Sequence, residues 1–470
     1  MTQKSTFALC FGNRGFFPGH LMASARKELS AVLKGLGHKT LTLDATATHF
    51  GAIETAAEGE IYARFLKDNA DKIDGVILSL PNFGDENGAV AALRDAGLPI
   101  LIQAYPDDLD KMAPELRRDA FCGKCSIMDV FYQNGIKFSV YKPHTVSPSS
   151  KHFAAQVEQF DRVCRAVKAL RRPVVGALGA RTSAFKTVRI DELALQRNGI
   201  TMETFDLSDV FARMTALPKG DRALAAKARK LKSYADFSAV PAEAFDRLVR
   251  LGVVLDRIAA EHHLDAMAVR CWIEMQQQLG ISPCVLLSEI NDRGGVAACE
   301  VDVGNAVAML ALSRASGDKA ACLDWNNNYG DEEDKCILFH CGPVPQSLMA
   351  TPGRVTDHAI LANAVGAGCS YGCDVGRIAP TPFTFASMMT DSGRLKFYVG
   401  EGQFTSDPIP ADFFGCAGVA EIPKLQDVLL HVGRHGHRHH VSVTPGHIAS
   451  AVREALEYYL GYDVSVPQEG

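Results

Sequence analysis

The feature that most constrains the fold is the regular alternation of short apolar runs with amphipathic segments in the N-terminal part of the chain. Thr6–Phe11 has the composition of a buried strand, and Gly19–Leu36 carries apolar residues at the three- and four-residue spacing of a helix face. Further strand-type runs are Lys39–Leu43, Asp74–Ser79 and Pro99–Gln103, and further helix-type segments are Ile61–Asn69 and Ala89–Ala96. This rhythm predicts a parallel α/β layer, which we assign to residues 1–154.

The same alternation restarts and predicts a second α/β domain at residues 155–350. Its strand-type runs are Pro173–Gly179, Ile200–Phe205, Ala266–Cys271 and Cys284–Ile290. After Pro352, short β-like runs alternate with turn signals, which predicts an antiparallel barrel at residues 351–470 that ends in a helix at Ile448–Leu460. The expected fold is therefore two doubly wound α/β domains followed by a C-terminal antiparallel β-barrel domain.

Composition and charge exclude several classes of protein. The chain has 470 residues, a net charge of −5 and 22% charged residues, and this ordinary balance gives no clustered basic charge for a nucleic-acid partner. Its apolar runs are too short to span a membrane, and its N-terminus does not have the pattern of a signal peptide. The 13 cysteines are odd in number and widely spread, which favours reduced thiols. We therefore expect a cytoplasmic protein without nucleic-acid or membrane partners.

Two acidic residues stand where strand-type runs end. Glu300 follows the apolar GGVAAC, and Asp324 follows the apolar Ala320–Leu323. In open α/β sheets, ligand crevices form at the C-terminal ends of the strands. A single acid in such a place is more often a helix N-cap or a surface residue. Two acids in the same context favour a functional site.

The residues after Asp324 combine an aromatic ring with a run of amides. Amide groups hydrogen-bond hydroxyls, and aromatic rings cover the apolar C–H faces of sugars. Trp325 and Asn326 are therefore candidates for binding a hydroxyl-rich ligand. A turn is the alternative, because asparagine tolerates left-handed backbone angles.

Two histidines are candidate ligands. His340 ends an apolar run before Gly342-Pro343, so we expect it at a strand end, with structural and metal-binding roles both open. The histidine-rich segment that begins at His431 is expected to be mostly solvated. His447 differs, because it lies between the turn Thr444-Pro445-Gly446 and the terminal helix, which gives it a well-defined position.

Two carboxylates with one or two histidines form a site rich in oxygen and nitrogen. Such a set suits Mn²⁺, Mg²⁺, Co²⁺ or Fe²⁺ better than structural zinc. The ion would polarise the carbonyl of a chelating hydroxy-carbonyl substrate, and a carboxylate would move the proton between its first two carbons. Glu300 and Asp324 are thus the expected catalytic pair and, with His447 and His340, the expected metal ligands.

These residues resemble the L-fucose/L-arabinose isomerase superfamily, on the L-fucose isomerase side. Cys299-Glu300-Val301-Asp302, followed by an Ala/Met/Leu-rich helix, looks like the fucose isomerase segment that bears the first metal-binding glutamate. Asp324, 24 residues after Glu300, looks like the metal-binding aspartate. Pro445-Gly446-His447-Ile448 looks like the Gly-His-Ile element that bears the metal-binding histidine. His340 lies about where the arabinose branch has a further histidine ligand.

The resemblance implies three domains, Mn²⁺ as the cofactor, and isomerisation of an aldose to a ketose through a metal-bound ene-diol. It also implies a homo-oligomer, a trimer or hexamer, whose active sites are shared between subunits. Arg14, in Gly12-Asn13-Arg14-Gly15, is similar to an arginine that reaches a neighbour's sugar site. An ordinary first βα loop is the alternative for Arg14.

The chain departs from the family in two respects, and two other functions stay open. It is shorter than typical fucose isomerases, and the string after Asp324 differs from theirs. A metal-bound ene-diol also serves a carbon–carbon lyase or transferase that acts on a ketose or sugar acid. A non-catalytic sugar-binding protein is the third possibility, since paired α/β layers also build sugar receptors. The identity of the sugar is not fixed by these residues.

Overall fold

The computed structural model of the chain describes residues 4–469. The chain forms two compact units, divided between Lys168 and Ala169. No helix within residues 4–469 is long and apolar enough to cross a membrane.

The first unit is a parallel α/β layer with four strands in the order β2-β1-β3-β4. The strands are β1 (Thr6–Phe11), β2 (Lys39–Thr42), β3 (Gly75–Leu80) and β4 (Ile100–Ala104). The helices are α1 (Leu21–Gly35), α2 (Ala56–Asp68), α3 (Glu86–Leu93), α4 (Ala120–Gln133) and α5 (Lys151–Leu170). The predicted strand–helix rhythm is confirmed because the apolar runs are buried on both faces of the sheet.

The second unit opens with another four-stranded parallel sheet, in the order β6-β5-β7-β8. Its strands are β5 (Val174–Leu178), β6 (Thr201–Phe205), β7 (Ala266–Val269) and β8 (Ala297–Cys299). Its helices are α6 (Glu192–Arg197), α7 (Leu207–Ala216), α8 (Arg222–Tyr234), α9 (Ala242–Glu261), α10 (Glu274–Leu279), α11 (Cys284–Asp292) and α12 (Val303–Ser316). The second predicted α/β layer is thus confirmed.

One predicted strand is wrong. Cys284–Ile290 forms helix α11, whose residues from Cys284 to Asn291 are all buried. A short apolar run that is enclosed on all sides has no polar face, so its periodicity does not separate a buried helix from a buried strand.

The second unit closes with an antiparallel barrel of six strands. The remaining strands of the chain are β9 (Ala321–Asn328), β10 (Lys335–His340), β11 (Arg354–Thr356), β12 (Cys373–Arg377), β13 (Thr381–Asp391), β14 (Arg394–Phe404), β15 (Cys416–Glu421), β16 (His440–Pro445) and β17 (Asp463–Ser465). The barrel runs β15-β10-β9-β16-β13-β14 and closes where β14 pairs with β15. Its other helices are α13 (Ala362–Val365), α14 (Leu425–Arg434) and α15 (Ala449–Arg453), which continues as a π-helix over Glu454–Tyr459.

Two strands of the barrel come from the segment before residue 351, whereas the sequence predicts that the barrel begins at residue 351. Strand β9 pairs with β16 on one side and with β10 on the other, and β10 pairs in turn with β15. A closed barrel leaves no edge strand, so β9 and β10 are needed to complete the ring. Asp324 therefore lies inside an antiparallel strand, not at the end of a parallel one.

Helix α12 lies between the parallel sheet and the barrel and contacts both. It is buried from Val303 to Ser313, which explains why its sequence is apolar on nearly every side. A Cβ atom at Gly304 would lie 2.4 Å from the carbonyl oxygen of Met388, in strand β13. Only glycine at this position lets the helix approach the barrel so closely.

Gly304→Ala should therefore destabilise the protein by about 1–3 kcal/mol, because the added methyl group has to push the helix from the strand. The measurement is urea unfolding followed by circular dichroism. Gly433→Ala is the matched control, since that helix glycine has open space at the Cβ position. It should be neutral or stabilise by up to about 1 kcal/mol. Equal effects of the two substitutions would contradict the close packing of α12.

Candidate active site

A tight turn after strand β8 holds Glu300. Glu300 and Val301 both have left-handed backbone angles, with φ of 61° and 56°. The turn is fixed by bonds from the Val301 N–H to the Val269 carbonyl oxygen, at 3.2 Å, and from the Asp302 N–H to the Cys299 carbonyl oxygen, at 3.0 Å. Strained backbone of this kind persists only where its surroundings enforce it, and it concentrates at functional sites.

Asp302, two residues further on, is a buried carboxylate that joins three segments. Its Oδ1 accepts the Asn305 N–H at 2.9 Å, which caps helix α12, and pairs with the Arg438 guanidinium. Its Oδ2 lies 2.8 Å from Nδ1 of His440. Burial alone would raise the pKa of Asp302, but the Arg438 charge and the His440 hydrogen bond lower it well below its ordinary value. A carboxylate on Nδ1 turns the Nε2 of His440 toward the site.

The acid pair meets at His440. Nε2 of His440 lies 2.9 Å from Oε2 of Glu300 and 3.3 Å from Oδ1 of Asp324. His440 and Asp324 are direct partners in the pairing of β16 with β9, so their side chains share one face of the barrel wall. The Trp272 indole N–H donates to Oε1 of Glu300 at 2.9 Å and fixes the second oxygen of that carboxylate.

His340 completes the group. Its Nδ1 accepts the Cys341 N–H at 2.8 Å. Glu300, His340 and His440 each offer one ligand atom, and these three atoms lie within 4.8 Å of one another. Within the cluster, the described structure gives Nε2 of His340 no hydrogen-bond partner, and Oδ1 of Asp324 has no hydrogen bond besides its ion-pair contact with His440 at 3.3 Å. Buried polar atoms in this state are costly, and a cation bound between them would satisfy both.

The donor chemistry fits a divalent cation. Two carboxylates and two imidazoles form a mixed oxygen and nitrogen set, which suits Mn²⁺, Mg²⁺, Fe²⁺ or Co²⁺. The pKa of His340 is raised to about 10: burial lowers it, but the charges of Cys341 and Asp324 outweigh burial. The pKa of His440 is also raised, against burial, by its bonds to Asp302 and Glu300. Both shifts mean that the cluster attracts positive charge.

In the same cluster, the pKa values of the two acids are shifted in opposite directions. Burial raises the pKa of Asp324 to about 6, although the nearby charges of His340 and His440 oppose that rise. Burial also acts to raise the pKa of Glu300, but the hydrogen bond and charge of His440 outweigh it and lower the pKa. When the surroundings move the pKa values of two neighbouring carboxyl groups apart, one group is suited to accept a proton and the other to donate one.

The acids open into a cavity of about 210 Å³. Its wall is formed by Glu300, Asp324, His340, Trp272, Phe339, His358, Ile360, Leu361, Ser282 and the thiols of Cys271, Cys284 and Cys341. The Phe185 ring packs edge-on to Trp272 at 5.6 Å and lies 5.7 Å from the His440 ring, measured between ring centroids. A small cavity with charged groups at one end and rings along its walls suits a small polar molecule.

The structure does not bring His447 to this cluster. His447 lies beyond the far end of β16, where its Nε2 is 3.1 Å from the Gly402 carbonyl oxygen and its side chain is 53% exposed. At about 3.3 Å per strand residue, the backbone of His447 is roughly 20 Å from that of His440. His440, and not His447, therefore lies beside the two acids in the structure.

Trp325 and Asn326 do not line the cavity either. The Trp325 indole N–H donates to the Tyr398 hydroxyl at 3.0 Å, and its ring packs edge-on to Phe385 in the barrel core. Neighbouring strand residues point to opposite faces, so Trp325 turns inward where Asp324 turns toward the site. The Asn326 side chain is exposed and bonds to Asn327.

Arg14 belongs to the first unit. Its Nε donates to the Gly84 carbonyl oxygen at 2.9 Å, its guanidinium pairs with Glu86 and lies 4.4 Å from the centre of the Phe83 ring. These contacts place Arg14 in the first βα loop. Its role at a neighbour's site stays a prediction.

Sequence reasoning missed Asp302, Arg438, His440 and Trp272. Asp302 belongs to the Cys-Glu-x-Asp motif, but the motif alone gives it no role. The sequence places His440 among the solvated histidines, although the alternating Val441-Ser-Val-Thr that follows it is typical of a strand. That pattern distinguishes His440 from the other histidines of the segment. We find no comparable signal for Trp272.

Comparisons with known proteins match both ends of the chain. Residues 8–171 match the family model of the fucose/sulfoquinovose isomerase N-terminal domain, and residues 338–467 match that of the L-fucose isomerase C-terminal domain. Relatives from Priestia aryabhattai and Priestia megaterium (strain ATCC 12872 / QMB1551), both named sulfoquinovose isomerase, are 23% identical over 387 residues, 82% of this chain and 83% of theirs. A third protein of that name, from Alkalicoccus urumqiensis, is 25% identical over 289 residues, 60% of this chain and 63% of its own.

Asp324→Asn should stabilise the cation-free protein in a pH-dependent way. The pKa of Asp324 is about 6 in the folded protein and about 3.9 in an unfolded chain. The folded protein therefore binds more protons between these values, and wild-type stability falls as pH rises through them. At about pH 8 the variant should be about 1–3 kcal/mol more stable, and the difference should shrink toward about pH 4.5.

The measurement is urea unfolding in the presence of a chelator at several pH values. Asp331→Asn is the control, because Asp331 is an exposed acid in the loop after β9. A difference between wild type and Asp324→Asn that does not change with pH would contradict the raised pKa.

Proposed function

The chain belongs to the L-fucose/L-arabinose isomerase superfamily, on the L-fucose isomerase side, and from this premise we propose that it is a divalent-metal-dependent aldose–ketose isomerase. The observation that carries the proposal is the meeting of Glu300, Asp324 and His340 at one cavity, with the buried His440 in contact with both acids. A sugar receptor has no need of such a group, because binding hydroxyls requires neither two carboxylates around an imidazole nor a strained turn.

Glu300, Asp324, His340 and His440 would hold the cation, with Mn²⁺ as the first candidate and Mg²⁺ or Co²⁺ as alternatives. When bound, the cation supplies Lewis acidity that polarises the sugar carbonyl and makes the neighbouring hydroxyl more acidic. Asp302 keeps His440 oriented for this role through Nδ1.

The two acids divide the proton transfers. Glu300, whose pKa is lowered, is charged at neutral pH and accepts the proton from the carbon next to the carbonyl. Returning that proton to the neighbouring carbon of the ene-diol converts the aldose to the ketose. Asp324, whose pKa is raised to about 6, carries the hydroxyl proton between the two sugar oxygens. The Trp272 N–H holds Glu300 in one orientation throughout.

The rings around the cavity protect this chemistry from water. Trp272 and Phe339 line the cavity beside the acids, and Phe185 packs against Trp272. A dry wall strengthens the electrostatic interactions inside and keeps the ene-diol from losing its proton to bulk solvent.

We propose a sulfonated aldose as the substrate, with sulfoquinovose first because three relatives carry its name. The loop that carries Phe185 to the site also carries Arg181, Lys186 and Arg189, and it has no acidic residue between Gly179 and Ile190. A cationic loop beside the cavity favours an anionic sugar. Glucose, with a hydroxyl in place of the sulfonate, is the uncharged comparison.

Protein stripped of metal with a chelator should convert sulfoquinovose only after Mn²⁺ is returned. Product analysis by mass spectrometry and NMR should give a ketose with the same number of carbons, and glucose should react much more slowly. Shorter products would indicate the alternative, a carbon–carbon lyase or transferase at the same site. Full activity of metal-free protein, checked by elemental analysis, would reject the metal-dependent mechanism.

Glu300→Gln should lower turnover by at least about 100-fold, because it removes the base but keeps the size of the side chain. His440→Gln should weaken Mn²⁺ binding, measured by calorimetry, whereas His447→Gln should leave both binding and turnover nearly unchanged. Circular dichroism of all three variants checks their folding. Near-normal turnover by Glu300→Gln would contradict the role of Glu300 as the base. Loss of Mn²⁺ binding in His447→Gln would contradict the proposed set of metal ligands.

A further inference from the structure

Five buried cysteines beside the cavity have no part in the proposed mechanism. They are Cys271, Cys284, Cys299, Cys341 and Cys373, and all are free thiols. The Sγ atom of Cys284 lies 3.4 Å from that of Cys341 and 3.9 Å from that of Cys373. The Sγ atoms of Cys284, Cys299 and Cys341 all lie within 4.8 Å of one another. Single buried cysteines are common, but a convergent group of thiols is a ligand set.

We propose that Cys284, Cys299 and Cys341 form a second metal site, a thiolate site for a soft divalent cation such as Zn²⁺ or Cd²⁺. With zinc–sulfur bonds of about 2.3 Å, the sulfurs of a trigonal or tetrahedral site lie about 3.8–4.0 Å apart. The Cys284–Cys341 separation of 3.4 Å is just below that value, and no separation within the group exceeds 4.8 Å, so changes of less than about 1 Å in the sulfur–sulfur distances close the site.

The three thiols are held by rigid elements, and two of them can be reached from the cavity. Cys284 is the first residue of α11, Cys299 the last of β8, and Cys341 directly follows β10. Cys284 and Cys341 line the same cavity as Glu300 and His340, so an ion that enters the cavity meets both donor sets. Ligands positioned by packed helices and strands lose little freedom on binding.

Binding needs no oxidant or reductant. Each sulfur that carries an S–H proton releases it to solvent as its sulfur–metal bond forms, so one divalent cation replaces up to three protons. Three thiolates and one divalent cation leave a net charge of −1 and an open fourth position. Cys373, 3.9 Å from Cys284, is placed to fill it.

Occupancy of this site should disturb the neighbouring one. Cys299 directly precedes Glu300, and Cys341 directly follows His340. A cation that draws the sulfurs together shifts the backbone that positions the carboxylate and the imidazole. Inhibition by Cd²⁺ in the presence of saturating Mn²⁺ follows, and this consequence alone rests on the proposed function.

The test uses the full chain with the exposed Cys122 and Cys125 replaced by alanine, which removes a competing pair of thiols. Mg²⁺ is kept in large excess, Cd²⁺ is added, and thiolate-to-cadmium absorption and bound cadmium are measured. We expect one Cd²⁺ per chain with thiolate absorption. Loss of even an outer-shell partner costs about 10–100-fold in metal affinity, so Cys284→Ala or Cys299→Ala should weaken binding by at least about 100-fold.

Two controls separate this site from others. Cys336→Ala removes a buried barrel thiol outside the cluster and should change nothing. Asp324→Asn weakens the oxygen and nitrogen site and should leave the thiolate absorption intact, so failure of the isomerase proposal is distinguishable. Absence of thiolate absorption in the Cys122→Ala/Cys125→Ala protein, its survival in Cys284→Ala, or its loss in Asp324→Asn overturns the proposal.

A second measurement covers variants that do not fold. Bound Cd²⁺ should slow alkylation of Cys284 and Cys341 by a small thiol reagent, read out by mass spectrometry on the chain with its cluster cysteines intact. Alkylation of both at the same rate with and without Cd²⁺ overturns the proposal.

Discussion

The buried carboxylate of Asp302 is the interaction on which the rest of the site depends. It caps helix α12, pairs with Arg438 and holds Nδ1 of His440, so one side chain joins the parallel sheet to the barrel. Removing one partner of a buried ion pair costs about 3–5 kcal/mol, because the other charge is left without compensation. The position of helix α12, the orientation of His440 and the strained turn at Glu300 are therefore linked.

Because of this linkage, the two acids of the site can come from two different sheets, one parallel and one antiparallel. Glu300 comes directly after the end of a parallel strand, where the chain leaves the sheet and a tight turn is tolerated. Asp324 comes from the middle of a barrel strand, where pairing on both sides holds it beside the imidazole of His440. The turn brings Glu300 to His440, and burial at the barrel wall raises the pKa of Asp324. The two origins thus produce two carboxyl groups of different acidity at one cavity.

The sequence predicts well the elements that a local residue pattern determines. It predicts less well the features that depend on how strands pair with one another. Thr6–Phe11 was predicted to the residue, because a buried parallel strand is a continuous apolar run. Cys284–Ile290 was assigned to the wrong element because a fully enclosed run has no periodicity. The sequence predicts Glu300, Asp324 and His340 at or next to strands, and the structure brings the three together, but it leaves His447 away from them and places His440 there. The position of His440 depends on the register of β16 against β9, which places His440 opposite Asp324 and which no local string contains.

The arrangement of hard and soft donors around one cavity has a consequence for metal selectivity. Glu300 and Cys299 are neighbours in the chain, as are His340 and Cys341. The two donor sets therefore lie side by side and cannot be enclosed in separate pockets. Oxygen and imidazole ligands favour Mn²⁺ or Mg²⁺, while thiolates favour zinc-like ions. If the two proposed sites bind metal, selection at such a cavity cannot rest on access, because both kinds of ion would enter by the same route. It would have to rest on donor type, with each ion bound by the set that matches its chemistry.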